Sequence, residues 1–190
     1  MPIHAEYDVV IRNGMIYDGR GGAPFASDVA VQGDSIAAVG ALGQATARRE
    51  IDASGLAVAP GFINVLSWAS ESLIEDGRSQ SNIRQGVTLE VLGEGWSMGP
   101  LNEAMKEERT ARQGHIRYDI EWSTLGEYLR FLERRGVSPN VASFVGATTV
   151  RIFSLGHEDR APTSDELDRM RGLVRQTMEE GAVGLSSALI

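Results

Sequence analysis

Apolar residues alternate with polar ones over the first 55 residues, which is the pattern of short strands in a half-buried sheet. A predicted strand at 7–12 turns at Asn13-Gly14, a dipeptide that favours two-residue hairpins, into a return strand at 15–17. Two more candidate pairs follow along the chain: 28–32 with 36–39, and 50–52 with 55–58. The pattern therefore predicts a small antiparallel β unit.

From residue 62 onward, apolar runs alternate with stretches of helical periodicity. The runs predict four strands, at 62–66, 87–92, 140–145 and 182–189. Ser123 can cap one helix, and the capping box Thr163-Ser164-Asp165-Glu166 begins another, which Gly181 ends. A short helix around 79–85 and a polar helical excursion at 102–113 lie between the strands. Strands that alternate with helices in this way predict a parallel sheet.

Composition excludes several classes of partner and site. The chain has 190 residues and a net charge of −8, which argues against nucleic acid or an anionic membrane surface as a partner. It contains no cysteine, so disulfides and thiolate metal sites are excluded. The N-terminal residues lack a basic-then-apolar targeting segment, and no apolar run reaches the ~20 residues of a membrane span. We predict a cytoplasmic protein.

Few side chains at the predicted strand ends can carry chemistry. The second strand ends in Gly93-Glu94-Gly95, where the Glu94 carboxylate could bind a metal or transfer a proton, or could accept backbone amides of its own loop. Glu71, beyond the first strand, is more typical of a loop carboxylate. The histidines are expected in the N-terminal tail and on surface loops rather than in a metal site: His4, His115 and His157.

The start of the first predicted strand carries a family resemblance. Pro60-Gly61-Phe62-Ile63 resembles the first barrel strand of the metal-dependent amidohydrolase superfamily. Members usually continue Asp-x-His-x-His, and the two histidines bind a metal. The matching positions here hold Asn64, Leu66 and Trp68, so the metal-binding pair is absent.

Further segments resemble the N-acyl-D-amino-acid deacylase (D-aminoacylase) branch. In that branch the second strand ends in Gly-Asn-Cys-Gly, and its cysteine binds the tightly held metal; Glu94 is the matching candidate here. The run 140–151 resembles Asn-Val-x-x-x-Val-Gly-His-x-x-x-Arg, with Ala147 in place of the histidine and Arg151 in place of the arginine. Because carboxylate oxygen can replace thiolate on zinc, the resemblance implies a divalent metal site with one zinc ion.

The same resemblance implies four contacts to substrate. Arg151 could hold a substrate carboxylate by a bidentate contact or form a structural salt bridge. Ser186 and Ser187 could contact substrate or satisfy backbone groups at the strand end, and we favour the second role. Ser97, in the loop after Glu94, is the fourth candidate.

The implied fold is α/β. Residues 59–190 would form the first half of a TIM-like (β/α)8 barrel, and residues 1–58 part of a small antiparallel β-sandwich beside it. The implied reaction is metal-dependent hydrolysis of the amide of a small-molecule N-acyl-D-amino acid. The catalytic aspartate and the remaining histidine ligands of the family are expected beyond Ile190, so we expect this chain to be an N-terminal fragment that is inactive alone.

Two other functions stay open. A non-catalytic amidohydrolase-like barrel that binds a ligand or partner would explain why Asn64, Leu66, Trp68 and Ala147 replace polar family residues. A ring-opening cyclic amidohydrolase shares the motif of the first strand, but the match at 184–190 argues against it.

Overall fold

The protein is represented by a computed structural model that describes residues 6–187. His4 and the last residues of the fourth predicted strand lie outside this range. The described chain divides into two compact units, one up to Pro60 and one from Gly61. No helix within the described range is both long and apolar enough to cross a membrane.

The first unit is a five-stranded sheet of mixed direction. Its strands are β1 (Tyr7–Ile16), β2 (Phe25–Gln32), β3 (Ser35–Gly40), β4 (Ala47–Asp52) and β5 (Ala57–Val58). The order is β3-β2-β1-β4, and β5 also pairs with β1. β2 runs antiparallel to β3, as predicted, and also antiparallel to β1, a pairing that was not predicted, while β4 and β5 run parallel to β1. The prediction that the last two segments pair with each other was wrong, because the ten-residue β1 offers one edge to both.

The Asn13-Gly14 dipeptide lies within β1 and does not form a hairpin turn. Asn13 adopts a positive φ of 59°, and the pairing of β1 with β2 shifts register between Ile11 and Gly14. The Asn13 N–H donates to Asp28 Oδ1 at 2.9 Å, and its side-chain amide donates to Asp52 Oδ1 at 3.3 Å. The dipeptide therefore forms a β-bulge that neighbouring strands stabilise.

The second unit contains the parallel strands that were predicted. β6 (Phe62–Asn64), β7 (Val87–Leu92) and β8 (Asn140–Ser143) form one parallel sheet, and β9 (Val145–Gly146) pairs in parallel with β10 (Leu185–Ser186). The bounds of β7 agree with the prediction. The third predicted strand divides at Phe144, because its N–H donates to Leu92 O whereas the next N–H, of Val145, donates to Gly184 O. The α/β class is confirmed.

The helices lie between these strands in the chain: α1 (Ser72–Glu75), α2 (Gln80–Ile83), α3 (Glu103–Arg112), α4 (Leu125–Arg135), α5 (Ala147–Leu155) and α6 (Ser164–Glu179). The capping box at Thr163 begins α6 as predicted. The cap of α4 is Thr124 and not Ser123, because the Thr124 hydroxyl accepts the Glu127 N–H at 3.2 Å. The sequence did not predict α5, since its first residues continue the motif of the third strand.

The core of the second unit holds the loop that follows β7. Trp122 is fully buried, and its ring packs against Tyr128 and Phe131 with centroids 5.1 and 5.0 Å apart. Its indole N–H donates to Met98 O at 2.7 Å. Because Leu92 and Met98 belong to the same buried cluster, both ends of the segment that carries Glu94 are anchored in the core.

Candidate functional site

Glu94 lies at the tip of a tight turn at the carboxyl end of β7. The flanking glycines have φ angles of 90° (Gly93) and 64° (Gly95), a region that residues with a Cβ rarely adopt. The Glu94 side chain is exposed, and its carbonyl accepts the Trp96 N–H at 2.6 Å. Its carboxylate makes no hydrogen bond to any residue of the described range, so it does not cap the amides of its own loop.

Ser186 holds the Glu94 turn from both sides. Its hydroxyl donates to Gly93 O at 2.5 Å and accepts the Gly95 N–H at 2.9 Å. One side chain of β10 therefore fixes the peptide groups on either side of Glu94. This contact agrees with the role that the sequence favoured for Ser186, the satisfaction of backbone groups at the strand end. Ser187 is exposed and remains a predicted substrate contact.

The start of α5 packs against the same turn. The Thr148 N–H donates to Gly95 O at 3.1 Å. The backbone at Gly146 approaches so closely that a Cβ there would lie 2.3 Å from Gly95 O. The third strand thus ends against the Glu94 turn, although it is distant in sequence.

The hydroxyl and the N–H of Ser97 are hydrogen-bonded within the protein. It is buried, its hydroxyl donates to Gly99 O at 2.5 Å and accepts the Gly146 N–H at 3.0 Å, and its own N–H donates to Thr149 Oγ1 at 2.8 Å. These bonds occupy the hydroxyl that the sequence proposed for substrate. They join the loop after β7 to the start of α5.

Arg151 lies on α5 and contacts the loop that follows this helix. Its Nη2 atom donates to Glu158 O at 2.8 Å and to Arg160 O at 2.7 Å. These contacts are not the salt bridge that the sequence considered, because both partners are backbone carbonyls, and the substrate-carboxylate role of Arg151 remains a prediction. The structure does not bring Arg151 into contact with the Glu94 turn.

A buried polar cluster that the sequence did not predict lies under the end of β6. Glu90 of β7 is fully buried, and its carboxylate accepts from Asn64 Nδ2 at 3.1 Å and from Asn82 Nδ2 at 2.5 Å. The alternating apolar pattern of β7 gave only a weak signal, a carboxylate within a run of aliphatic residues. The Asn64 side chain is therefore part of this cluster. Leu66 and Trp68, the other two positions of the family motif, are 51% and 75% exposed.

The fit of a metal ion to these residues is partial. Glu94 offers an accessible oxygen donor, but within residues 6–187 no group of three His, Cys, Asp or Glu side chains is placed to hold a metal. His115 and His157 lie at the surface, as predicted, and His157 Nε2 contacts Glu108 at 2.9 Å. Because structural and catalytic zinc sites use three or four protein ligands, Glu94 can serve only as one member of a larger set.

A cavity of about 270 Å³ opens beside Trp96, two residues from Glu94. Its walls come from the segments that follow β6 and β7 and from α3 and α5, and the lining residues are Glu71, Trp96, Met105, Glu108, Arg109, Arg112, Gln113 and Ile152. The sequence did not predict this cavity, since it interpreted α3 as a solvated excursion. Met105 of that helix is buried, and Arg109 Nη2 donates to Ser97 O at 2.6 Å.

The comparisons with known proteins agree with the resemblance seen in the strand-end motifs. No protein-family model matches the chain. The chain is 33% identical over 185 residues to a D-aminoacylase of Alcaligenes xylosoxydans xylosoxydans, and the alignment covers 95% of this chain but 37% of that protein.

Two solved structures give the same result. An N-acyl-D-glutamate deacylase from Bordetella bronchiseptica, complexed with zinc and a phosphonate inhibitor, has a TM-score of 0.85 at 32% identity over 96% of this chain and 38% of its own. A D-aminoacylase studied for its binuclear metal centre has a TM-score of 0.83 at 32% identity over 95% of this chain and 38% of its own. The chain spans little more than a third of the length of these relatives, and over about 95% of its own length it is similar to D-aminoacylases, a subset of the amidohydrolases.

Proposed function

We propose that the protein hydrolyses the amide bond of N-acyl-D-amino acids in a metal-dependent reaction, and that this chain supplies one metal ligand, Glu94. The relatives named D-aminoacylase and N-acyl-D-glutamate deacylase support the reaction class. The activity proposed is that of the whole protein, because the chain spans 37% of the first of these relatives.

The proposal rests on one observation, the exposed carboxylate of Glu94 at the tip of a fixed turn. Left-handed glycines on both sides, two hydrogen bonds with Ser186 and one with Thr148 all hold the turn, yet the carboxylate at its tip forms no hydrogen bond or ion pair with a described residue. These bonds fix the backbone that carries the carboxylate, which is one part of the support that a preorganised metal ligand requires. Its position at the carboxyl end of a parallel strand is where the chemistry of α/β barrels lies.

The site is proposed to hold one zinc ion. Leu66 has no donor atom and Trp68 has only an N–H donor, so neither replaces the histidine pair of the family. The related D-aminoacylase structure is described in terms of one-metal activation and second-metal attenuation, which is consistent with activity from a single ion. A bound zinc ion supplies polarisation of the substrate carbonyl and a water molecule of lowered pKa. The further ligands and the proton-transferring carboxylate are expected outside the described residues.

The finer architecture is also a proposal. We infer that β6–β10 are the first strands of a (β/α)8 barrel, since Ile63 of β6 and Val65 just after it are 57% and 69% exposed and barrel closure would cover them. We infer that the sheet of the first unit is part of a sandwich. A cavity of about 560 Å³ on this sheet is lined mainly by apolar residues of β1, β2, β3 and β5, and a second sheet would cover them. The cytoplasmic location remains a prediction from the cysteine-free composition.

Replacement of Glu94 in the full-length protein tests the metal ligand. Glu94→Gln keeps the shape of the side chain but removes its charge, so bound zinc after dialysis should fall at least tenfold and deacylation with it. Glu71→Gln is the matched control, because Glu71 is an exposed carboxylate after the neighbouring strand. Unchanged zinc content in Glu94→Gln would refute the assignment of Glu94.

A non-catalytic barrel is the second candidate function. It is favoured by one observation, that the positions of the family's metal-binding pair hold the exposed apolar side chains of Leu66 and Trp68. Elemental analysis of the metal-saturated, dialysed full-length protein separates the two functions. One zinc ion per chain together with turnover supports the deacylase, whereas a ratio near zero without turnover supports the non-catalytic barrel.

A further inference from the structure

We propose that the 65–68 segment, which follows β6, binds the acyl chain of the substrate through the side chains of Leu66 and Trp68. The inference rests on the proposed deacylase function and deepens it to a substrate class, N-acyl-D-amino acids whose acyl chain is apolar and longer than acetyl. The segment lies at the carboxyl end of β6, and β6 pairs in parallel with β7, whose carboxyl end carries Glu94.

The 65–68 segment continues the parallel pairing with β7 as far as the Glu94 turn. The Ser67 N–H donates to Val91 O at 2.9 Å, which extends the contact of the two chain segments beyond β6. Trp68 is one residue beyond this bond, and Glu94 is three residues beyond it on the neighbouring strand. Both side chains therefore belong to the same edge of the parallel sheet, the edge at which the chemistry of α/β barrels lies.

Hydrogen bonds fix the backbone of the segment between its two exposed side chains. Asn64 Oδ1 accepts the Leu66 N–H at 3.4 Å, and Asn64 Nδ2 donates to the fully buried Glu90 carboxylate at 3.1 Å. Ser67 is buried, and its hydroxyl accepts a backbone N–H two residues further along the chain at 3.2 Å. The residues before Leu66 and before Trp68 are thus held by the protein, so these two side chains are presented from a supported segment.

The surface that the segment presents is apolar and uncharged. Leu66 is 51% exposed and Trp68 is 75% exposed, although tryptophan is highly buried on average in folded proteins. No residue from 61 to 70 is charged, and the indole N–H is the one polar group of these two side chains. Small-molecule sites are lined predominantly by apolar and aromatic side chains of this kind. The segment therefore suits an apolar chain and offers no partner to a carboxylate.

The acyl chain is the apolar part of the substrate that lies nearest the reacting bond. It is bonded directly to the carbonyl carbon, whereas the first side-chain carbon of the amino acid is three bonds away from that carbon. Because Glu94, the proposed metal ligand, belongs to the same sheet edge as Trp68, an acyl chain that begins at the reacting centre is favoured as the occupant. Burial of one methylene corresponds to about a fourfold gain in affinity.

The test compares two acyl chains in the full-length protein. The substrates are N-acetyl-D-leucine and N-butanoyl-D-leucine, which differ by two methylenes. The wild type should prefer the butanoyl substrate by at least fivefold in kcat/KM, against about sixteenfold for complete burial of both methylenes. Leu66→Ala and Trp68→Ala should each reduce this preference, and the double variant should bring it within twofold of one. Leu56→Ala is the matched control, because Leu56 belongs to the first unit and is 58% exposed, and it should keep the wild-type preference.

Several results would overturn the proposal. These are a wild-type preference within twofold of one, and an equal loss on both substrates in the double variant. A lower free energy of unfolding with an unchanged preference would show that the rest of the protein covers the two side chains, and it would also overturn the proposal. If the double variant does not fold, the single variants decide, and an unchanged preference in both refutes the contact.

A second pair of substrates distinguishes the acyl chain from the amino-acid side chain. N-acetyl-D-alanine and N-acetyl-D-leucine differ in the side chain alone, so the double variant should keep the wild-type ratio between them. A ratio that changes in this pair while the acyl preference stays at the wild-type value would assign the segment to the side chain and refute the proposal.

A failure of the proposed function is distinguishable from a failure of this site. If the wild type hydrolyses none of these substrates, the binding of N-acetyl-D-leucine and N-butanoyl-D-leucine is measured by calorimetry. A Kd at least fivefold lower for the butanoyl compound in the wild type, with equal values in the double variant, still supports the acyl contact. No binding to the wild type, or the same dependence on chain length in both proteins, refutes it.

Discussion

Removal of the Ser186 hydroxyl should loosen the Glu94 turn without disturbing the core. In Ser186→Ala the Gly95 N–H and the Gly93 carbonyl both lose the partner that holds them at 2.9 and 2.5 Å. Each such bond contributes about 0.5–1.5 kcal/mol net, so the free energy of opening this turn should fall by about 1 to 3 kcal/mol. The start of α5 keeps one further bond, from the Thr148 N–H to Gly95 O, so the turn should stay formed for most of the time.

Hydrogen exchange of the full-length protein measures this change. A fall of about 1 to 3 kcal/mol corresponds to exchange about 5- to 150-fold faster in the peptide that contains Gly95. Peptides from α4, which lies in the core, should exchange at the wild-type rate. Ser187→Ala is the matched control, because this neighbouring hydroxyl is exposed.

The same variant connects the turn to the proposed metal site. Bound zinc in Ser186→Ala should fall, but less than in Glu94→Gln, because the carboxylate is retained and only its position is loosened. Wild-type exchange at Gly95 in Ser186→Ala would refute the conclusion that this hydroxyl holds the turn.

Three further outcomes are expected for the stability of the protein. Glu90→Gln should lower the free energy of unfolding, measured by urea denaturation, by about 1 to 3 kcal/mol. The fully buried Glu90 carboxylate accepts both the Asn64 and the Asn82 side-chain amides, whereas a glutamine would leave one of these two donors unpaired. Thr163→Ala should cost about 1 kcal/mol in the same assay, since its hydroxyl caps α6. The bonds from Arg160 and Thr163 lower the pKa of Glu166 from 4.5 to about 2, so its contribution is present above pH 4.5 and is lost as the pH falls towards 2. Glu166→Gln should therefore show a shallower loss of stability across that window, and an identical acid profile would contradict this account.

Local sequence signals determined several elements within close bounds. The strand at 87–92 and the helix that begins at Thr163 were predicted because their signals, an aliphatic run and a capping box, act between residues a few positions apart. The family resemblance likewise depended on short motifs at strand ends, and the similarity of the chain to D-aminoacylases confirms this resemblance. The position of Glu94 at the end of β7 follows from the same kind of signal.

Tertiary structure decided the features that depend on distant partners. The Asn13-Gly14 signal was correct for a positive φ, but hydrogen bonds to Asp28 and Asp52 made it a bulge rather than a turn. Similarly, no local pattern indicates that the Ser186 hydroxyl, some ninety residues away, holds the Glu94 turn.

The partners of the arginines show the same limit. Arg151 matched a family motif and yet donates to backbone carbonyls, whereas Arg109, on a helix with little apolar character, lines the cavity beside Trp96. Residue type and spacing determined that both side chains are cationic. Which acceptors each of them finds depends on the groups that folding brings within about 3 Å, and hydrogen bonding at that range is set by the tertiary fold.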